Sequence, residues 1–216
     1  RRQRQMCIRD SSVAARDGRE HEVEVYFEAS PRWALDQPYQ QSASKGYEAD
    51  GLLYLKSGSK EQNILAKQGD DLRIDWGYFY MVAGKENTAY SVGNSTELRK
   101  NFVNGTLNSA SLEGEDSNGN MALVRSHGKV KNVTDKIMLG YDDIYSIQYF
   151  GTNLRPYWNS KGDRTIEAEM LAAYNEYDKL LARCYAFDKK LMEDASAAGG
   201  KEYAELCALA YRQSIA

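Results

Sequence analysis

Apolar and polar side chains alternate strictly along residues 20–28, EHEVEVYFE. Val23, Val25 and Phe27 fall on one side, and Glu22, Glu24, Tyr26 and Glu28 on the other. A period of two predicts a strand with one half-buried face. The same reading makes Tyr47–Lys56 (YEADGLLYLK) a second strand closed by the turn residues Ser57-Gly58-Ser59, and residues 63–68 a short extended piece. Thr88–Val92, Met121–Arg125 and Lys136–Gly140 are further strands. In GDDLRIDWGYFYMVAG (69–84), Leu72, Ile74 and Trp76 oppose Asp71, Arg73 and Asp75. Gly77 then marks a bulge or a close backbone approach, before Tyr78, Tyr80 and Val82 alternate with Phe79 and Met81. Asp70, Asp71, Asp75 and Trp76 read either as the lining of a groove or as the solvent edge of a strand, with Arg73 pairing a carboxylate. Residues 94–105 form a small helix, with Asn94 or Ser95 as N-cap, Glu97 in the first turn and Gly105 as the stop. Residues 107–120 are a polar, Gly-rich loop.

The period changes after Asp163. Ile166, Met170, Ala173, Tyr177, Leu180, Cys184, Phe187 and Leu191 recur at alternating steps of four and three, which predicts an amphipathic helix capped by Asp163. Glu167 and Glu169 lie in its early turns, where carboxylates favour the helix dipole. Ala198-Gly199-Gly200 breaks it, and Tyr203, Leu206, Cys207 and Ala210 start a second helix, giving an αα-hairpin. A single hairpin cannot bury its own apolar stripe. The expectation is therefore a fragment of a longer protein. Residues 1–12 would be a non-native or disordered tail, 13–139 a β-sandwich, 140–163 a joint, and 164–216 the start of a helical domain.

Composition narrows the partners. The 216 residues are 42% hydrophobic and 27% charged with a net charge of −3, so no basic stripe invites nucleic acid. No apolar run of about 18 residues is present to span a membrane. Sixteen tyrosines suit both sandwich packing and small-molecule pockets. Three cysteines at irregular spacing are neither a disulfide framework nor a zinc site. Cys184 and Cys207 stand about 7–8 Å out of register across the hairpin at the helical rise, which predicts two buried free thiols. Residues 1–11, RRQRQMCIRDS, have no apolar period and resemble a translated sequencing adapter, which places them outside the fold; the rival reading is a basic arm for an acidic partner.

Chemistry concentrates between Gly140 and Trp158, GYDDIYSIQYFGTNLRPYW, at the change from strand to helix. Tyr141, Tyr145, Tyr149, Phe150 and Trp158 surround the pair Asp142-Asp143. Such a joint is either an aromatic-packed domain interface or a site. Neighbouring residues of an extended chain point to opposite sides, so at most one of Asp142 and Asp143 faces a given pocket. Each could equally cap a turn. The functional reading makes Asp142 and Asp143 the catalytic candidates, with Tyr141, Gln148, Tyr149 and Trp158 lining the substrate opening. His21 and His127 have no nucleophile at a telling spacing. No phosphate loop, CxxC pair or HExxH occurs, so neither cofactor nor metal is expected.

DDIYSIQYFG with LRPYW, GDDLRIDWGYFYMVA (69–83) and FDKKLMEDASAAGGKEYAELCALAYRQ (187–213) resemble, in the same order, segments of the large glutaminase A family of fungi and bacteria. The resemblance runs from about Val13 to the end of the chain. It implies an α+β architecture, a supersandwich-like β-sandwich followed by the first hairpin of an (α/α)6 toroid whose other hairpins lie outside this chain. It also implies a secreted or periplasmic hydrolase of the glutamine side-chain amide, with this chain inactive alone. Because several glycoside hydrolase families share that plan, a carbohydrate-active protein with a sugar substrate is the alternative; a non-catalytic interaction module is a third.

Overall fold

The computed structural model describes residues 6–70, 73–107 and 119–214. Among the described residues the strands, numbered in chain order, are β1 (Met6–Ala14), β2 (His21–Ala29), β3 (Ser42–Ala49), β4 (Leu52–Ser59), β5 (Tyr78–Gly84), β6 (Thr88–Gly93), β7 (Asn120–Val130), β8 (Asn132–Asp142), β9 (Ile147–Tyr149) and β10 (Thr152–Leu154). Helix α1 (Ser95–Val103) follows β6, and α2 (Ile166–Ser214) closes the chain.

The strands make a five-stranded sheet in the order β1-β8-β5-β4-β3, a three-stranded sheet β2-β7-β6, and the hairpin β9-β10. Every pairing is antiparallel. Alternation along β4, β5 and β8 turns Leu55, Phe79, Met81, Ala83 and Ile137 toward one face. These pack with Ala29, Val92, Met121 and Leu123 of the smaller sheet in a single apolar cluster. Two sheets sharing one core form a sandwich. The opposite face of the larger sheet carries Tyr47, Tyr54, Lys56, Tyr78, Tyr80 and Asp142, all placed by the pairing register.

Several expectations are corrected here. Tyr47–Lys56 is not one strand but the heart of a hairpin: Asp50 and Gly51 both take positive φ, 50° and 78°, which turns β3 into β4. The alternation rule cannot see a two-residue turn whose flanks continue the same pattern. Residues 63–68 hold a turn at Ile64-Leu65 and no strand, and the alternation over 73–76 is not a strand. Asp71 and Leu72, like residues 108–118 of the expected polar loop, lie outside the described residues. Helix α1 begins as expected, the Asn94 side chain accepting from the Thr96 amide at 2.9 Å.

Residues 6–11 do not stand outside the fold. β1 runs along the edge of β8 from the Met6↔Gly140 pair to the Ala14↔Asn132 pair. The physical reason is that β8 offers a row of backbone donors and acceptors that any extended segment can satisfy. The strand is held by its main chain, since its described side chains are exposed or only half-buried.

The chain divides into a unit ending at Met170 and a helical unit from Leu171 onward. In the helical unit, Gly199 (φ −152°, ψ 16°) and Gly200 (φ 78°, ψ −175°) interrupt α2. The Phe187 and Tyr211 rings from the two arms meet at a centroid distance of 4.9 Å, so the arms fold back as a hairpin. The N-cap of α2 is Thr165 rather than Asp163: its Oγ1 accepts from the Ala168 amide at 3.2 Å. The cysteines are free, but Cys184 is exposed and Cys207 half-buried, not the two buried thiols expected. Their stripe, with Leu180 (50% exposed) and Leu206 (61%), is not covered within the unit.

Candidate functional site

The joint is positioned by one close approach. Gly77 has φ +75°, and a Cβ there would lie 2.8 Å from Asp143 Cα and closer still to the Asp142 carbonyl oxygen. Only glycine lets these backbones touch. Trp76 fastens the contact, its indole N–H donating to the carbonyls of Asp143 and Tyr145, each at 2.9 Å. The bulge-or-approach reading of Gly77 therefore resolves as an approach.

Asp142 and Asp143 separate to different surroundings, as their adjacency requires. Asp142 lies half-buried on the tyrosine-lined sheet face, with Oδ1 accepting from the Ile144 amide at 3.0 Å. Burial raises its carboxyl above the ordinary range, and the neighbouring Asp143 adds to the rise against the pull of that amide and of Lys56. Asp143 is 6% exposed. Its Oδ2 accepts from Ser146 Oγ at 2.5 Å, while Oδ1 is buried with no hydrogen-bond partner among the described residues. Both carboxylates thus serve local turns, and each also has capacity left over.

Around Asp142 the sheet gathers groups that sequence reasoning did not single out. Lys56 Nζ sits 3.6 Å from the centroid of the Tyr78 ring, a cation–π arrangement. Burial lowers its ammonium below the usual lysine value, partly opposed by Glu167 and Asp142. Glu167, in the first turn of α2, accepts from the Tyr47 hydroxyl at 2.7 Å, and its main-chain carbonyl accepts from Tyr54 at 3.3 Å. The Tyr47 and Tyr54 rings stack at 5.1 Å, and burial pushes the Tyr54 phenol up to about 12. Tyr80, 2% exposed, is raised as well, first by burial and then by Asp142. A lysine two residues from Tyr54, and so on the same strand face, in the otherwise apolar run LLYLK, was the available signal.

On the other side of the joint, Gln148, Ser146, Trp76, Ile74, Arg73 and Lys67 line a cavity of about 400 Å³. Ser146 connects its wall to the buried Asp143. The remaining candidates are dispersed. Tyr141 packs on Phe79 at 5.2 Å and donates to the Trp33 carbonyl at 3.1 Å, on the core side of β8. Tyr149 is 60% exposed, with its ring edge-on to Phe150. Trp158 borders a separate, smaller cavity with Asp163 and Arg164. The structure therefore does not bring Tyr141, Tyr149 and Trp158 to the opening that Gln148 lines.

Asp75 is also corrected. It is not at a solvent edge but 1% exposed, accepting from Gln40 Nε2 at 2.9 Å and Lys67 Nζ at 2.7 Å. Arg73 pairs with Asp36 at a long 3.9 Å. Of the histidines, His21 bonds Asp17 at 2.9 Å on the surface, whereas His127 is largely buried beside Asp135. Among the described residues no three His, Cys, Asp or Glu side chains are grouped to hold a metal ion, and no helix is long and apolar enough to cross a membrane.

Two antiparallel sheets over one core, continued by a helical hairpin, define an α+β protein. The chain belongs to the family described as Domain of unknown function (DUF5127), whose model matches residues 10–194. Glutaminase A of Aspergillus oryzae is 26% identical to it over 224 residues, covering 96% of this chain and 31% of that protein. The chain thus spans about a third of the length of this curated relative. The resemblance carried by the three motifs is borne out.

Proposed function

We propose that this chain is the β-rich part, with its first helical hairpin, of a secreted or periplasmic hydrolase that releases ammonia from the side-chain amide of glutamine. The observation that carries the reading is the similarity to glutaminase A along 96% of the chain. Amide hydrolysis needs an acid to protonate departing ammonia and a fixed group to deliver water or attack the carbonyl. Asp142, whose burial favours its protonated form, is assigned the acid. The substrate is assigned to the sheet face that Asp142 shares with Lys56, Tyr78 and Tyr80, while Ser146, across the joint, holds the buried Asp143 carboxylate. The exposed apolar stripe of the hairpin supports its role as one element of a larger helical toroid.

A toroid forms its funnel only when its hairpins complete the ring, and catalytic groups must be held within about half an ångström. The 216-residue chain alone is therefore inactive in this reading. The test measures ammonia release from glutamine by this chain and by a longer homologue, with Asp142→Asn and Asp143→Asn introduced at the matching positions of the latter. Loss of 100-fold or more with Asp142→Asn is expected for a lost acid, from the ~10²–10⁴-fold range of such catalysis. Turnover by the short chain near the homologue's rate would overturn the division of labour. A homologue that leaves glutamine intact but cleaves glycosides would overturn the reaction.

A further inference from the structure

Residues 101–107, NFVNGTL, close α1 in a tight turn. The Asn104 N–H donates to the Lys100 carbonyl at 3.0 Å, that of Gly105 to Phe102 at 3.0 Å and that of Thr106 to Asn101 at 2.8 Å. The last two are the paired bonds that end a helix over a left-handed residue, and Gly105 supplies that residue at φ +65°. Thr106 Oγ1 also donates to the Asn101 carbonyl, at 3.2 Å. Asn104 is exposed, and its side chain makes no hydrogen bond among the described residues.

Asn104-Gly105-Thr106 is an N-x-T triplet, the acceptor pattern for N-linked glycans, which belongs on a surface turn. The sequence holds two other such triplets, at Asn94 and Asn132. Asn94 caps α1 with its side-chain oxygen, and Asn132 to Thr134 lies extended in β8, paired with β1. Of the three, Asn104 alone combines a surface turn with an uncommitted side-chain amide. The turn also borders apolar surface. Val103 is 80% exposed. Phe102 rests on Tyr26 at a centroid distance of 4.9 Å, and with Gly105, Leu107, Ala89 and Val124 it lines a cavity of about 350 Å³. An N-acetylglucosamine ring carries C–H groups on its faces, and such a face settles on an aromatic ring as other apolar surface does.

We propose that Asn104 is an N-glycosylation site in a eukaryotic secretory route, with the innermost N-acetylglucosamine seated on Phe102 at the mouth of this cavity. The donor is a polyprenyl-diphosphate-linked oligosaccharide. The Asn104 amide nitrogen displaces the diphosphate from the anomeric carbon: the C–N bond forms and the C–O bond to phosphate breaks. The lipid diphosphate leaves with the bonding pair, and one amide proton passes to a base of the transferase. The inference rests on the secreted reading and not on the amidase reaction, because no turnover is measured.

The test secretes the 216-residue chain from a eukaryotic host behind a supplied leader. Its glycans are then released with peptide N-glycosidase in heavy-oxygen water, so that each asparagine that bore one is read as labelled aspartate. Most molecules are expected to carry the label at position 104, and Thr106→Ala removes it. A secreted chain unlabelled there overturns the proposal. Should the chain stay in the cell, translation into microsomes reads the modification as a gel shift, and no difference from Asn104→Gln overturns it equally. Because the leader is supplied, either failure is distinct from failure of the native chain to be exported. Chains trimmed to the single core sugar read the contact: they should melt about 2–4 °C above Asn104→Gln. That gap should close when both carry Phe102→Leu, which keeps an apolar side chain against Tyr26. Equal melting of the trimmed chain and Asn104→Gln, or a gap unchanged by Phe102→Leu, overturns the seat on Phe102.

Discussion

Replacing Gly77 by alanine tests the contact that sets the joint. The residue has φ +75°, where an L side chain costs about 1–2 kcal/mol from its own backbone. The new methyl would also press on main-chain atoms of Asp142 and Asp143, the latter at 2.8 Å, and neither can swing aside as a side-chain tip would. Overpacking of this kind typically costs about 1–3 kcal/mol. The two contributions give roughly 2–5 kcal/mol, and at about 2–4 °C per kcal/mol for a chain of this size the melting temperature should fall by roughly 4–20 °C. Gly151 is the control: it has nearly the same φ, +77°, and nothing within 4 Å of the added Cβ. Gly151→Ala therefore carries the backbone cost alone. Paired urea and thermal unfolding of the two variants isolate the clash as their difference, about 1–3 kcal/mol. If Gly77→Ala falls within ~0.5 kcal/mol of Gly151→Ala, the scatter expected of innocuous substitutions, the approach does not position the aspartates.

Three further outcomes follow from the same geometry. Tyr47→Phe removes the hydroxyl held by Glu167 and should cost about 1.5–3 kcal/mol, with faster amide exchange in the first turn of α2; unchanged exchange there would show the bond to be idle. Asp142 has its folded pKa raised by burial, so its contribution favours the folded state below its ordinary value of 3.8 and is lost as pH rises through the higher folded value. The stability of Asp142→Asn relative to the parent should accordingly increase with pH across that window, and a flat difference between pH 3 and pH 7 would refute the burial argument. Gly200→Ala meets no side chain but forces φ 78°, ψ −175°, a region essentially reserved for glycine, on an alanine. It should lose about 1–3 kcal/mol of helical-unit stability and release Phe187 from Tyr211, visible in aromatic NMR shifts.

Local pattern determined much of this protein. The alternation in β2, the capping of α1 by Asn94, the switch of period near residue 163 and the glycine break at 199–200 are each written in a few adjacent residues, and each is realised. Where one pattern ran through a tight turn, as at Asp50-Gly51, the same local reasoning merged two strands into one. Tertiary structure alone decided the rest, because pairing register brings together residues that no spacing connects. Tyr47, Lys56, Tyr80 and Asp142 share a sheet face across four strands, and Glu167 reaches them from the helix. Asp75 looked like surface on alternation, yet it is buried because residues from 36 to 67 close over it, a contact between segments more than thirty positions apart for Gln40. The edge of β8 likewise recruits residues 6–14 through backbone hydrogen bonds, which carry no side-chain signature. Periodicity reports which face of an element is apolar; only packing determines which polar groups are left facing one another out of water, and there the candidate chemistry of this chain resides.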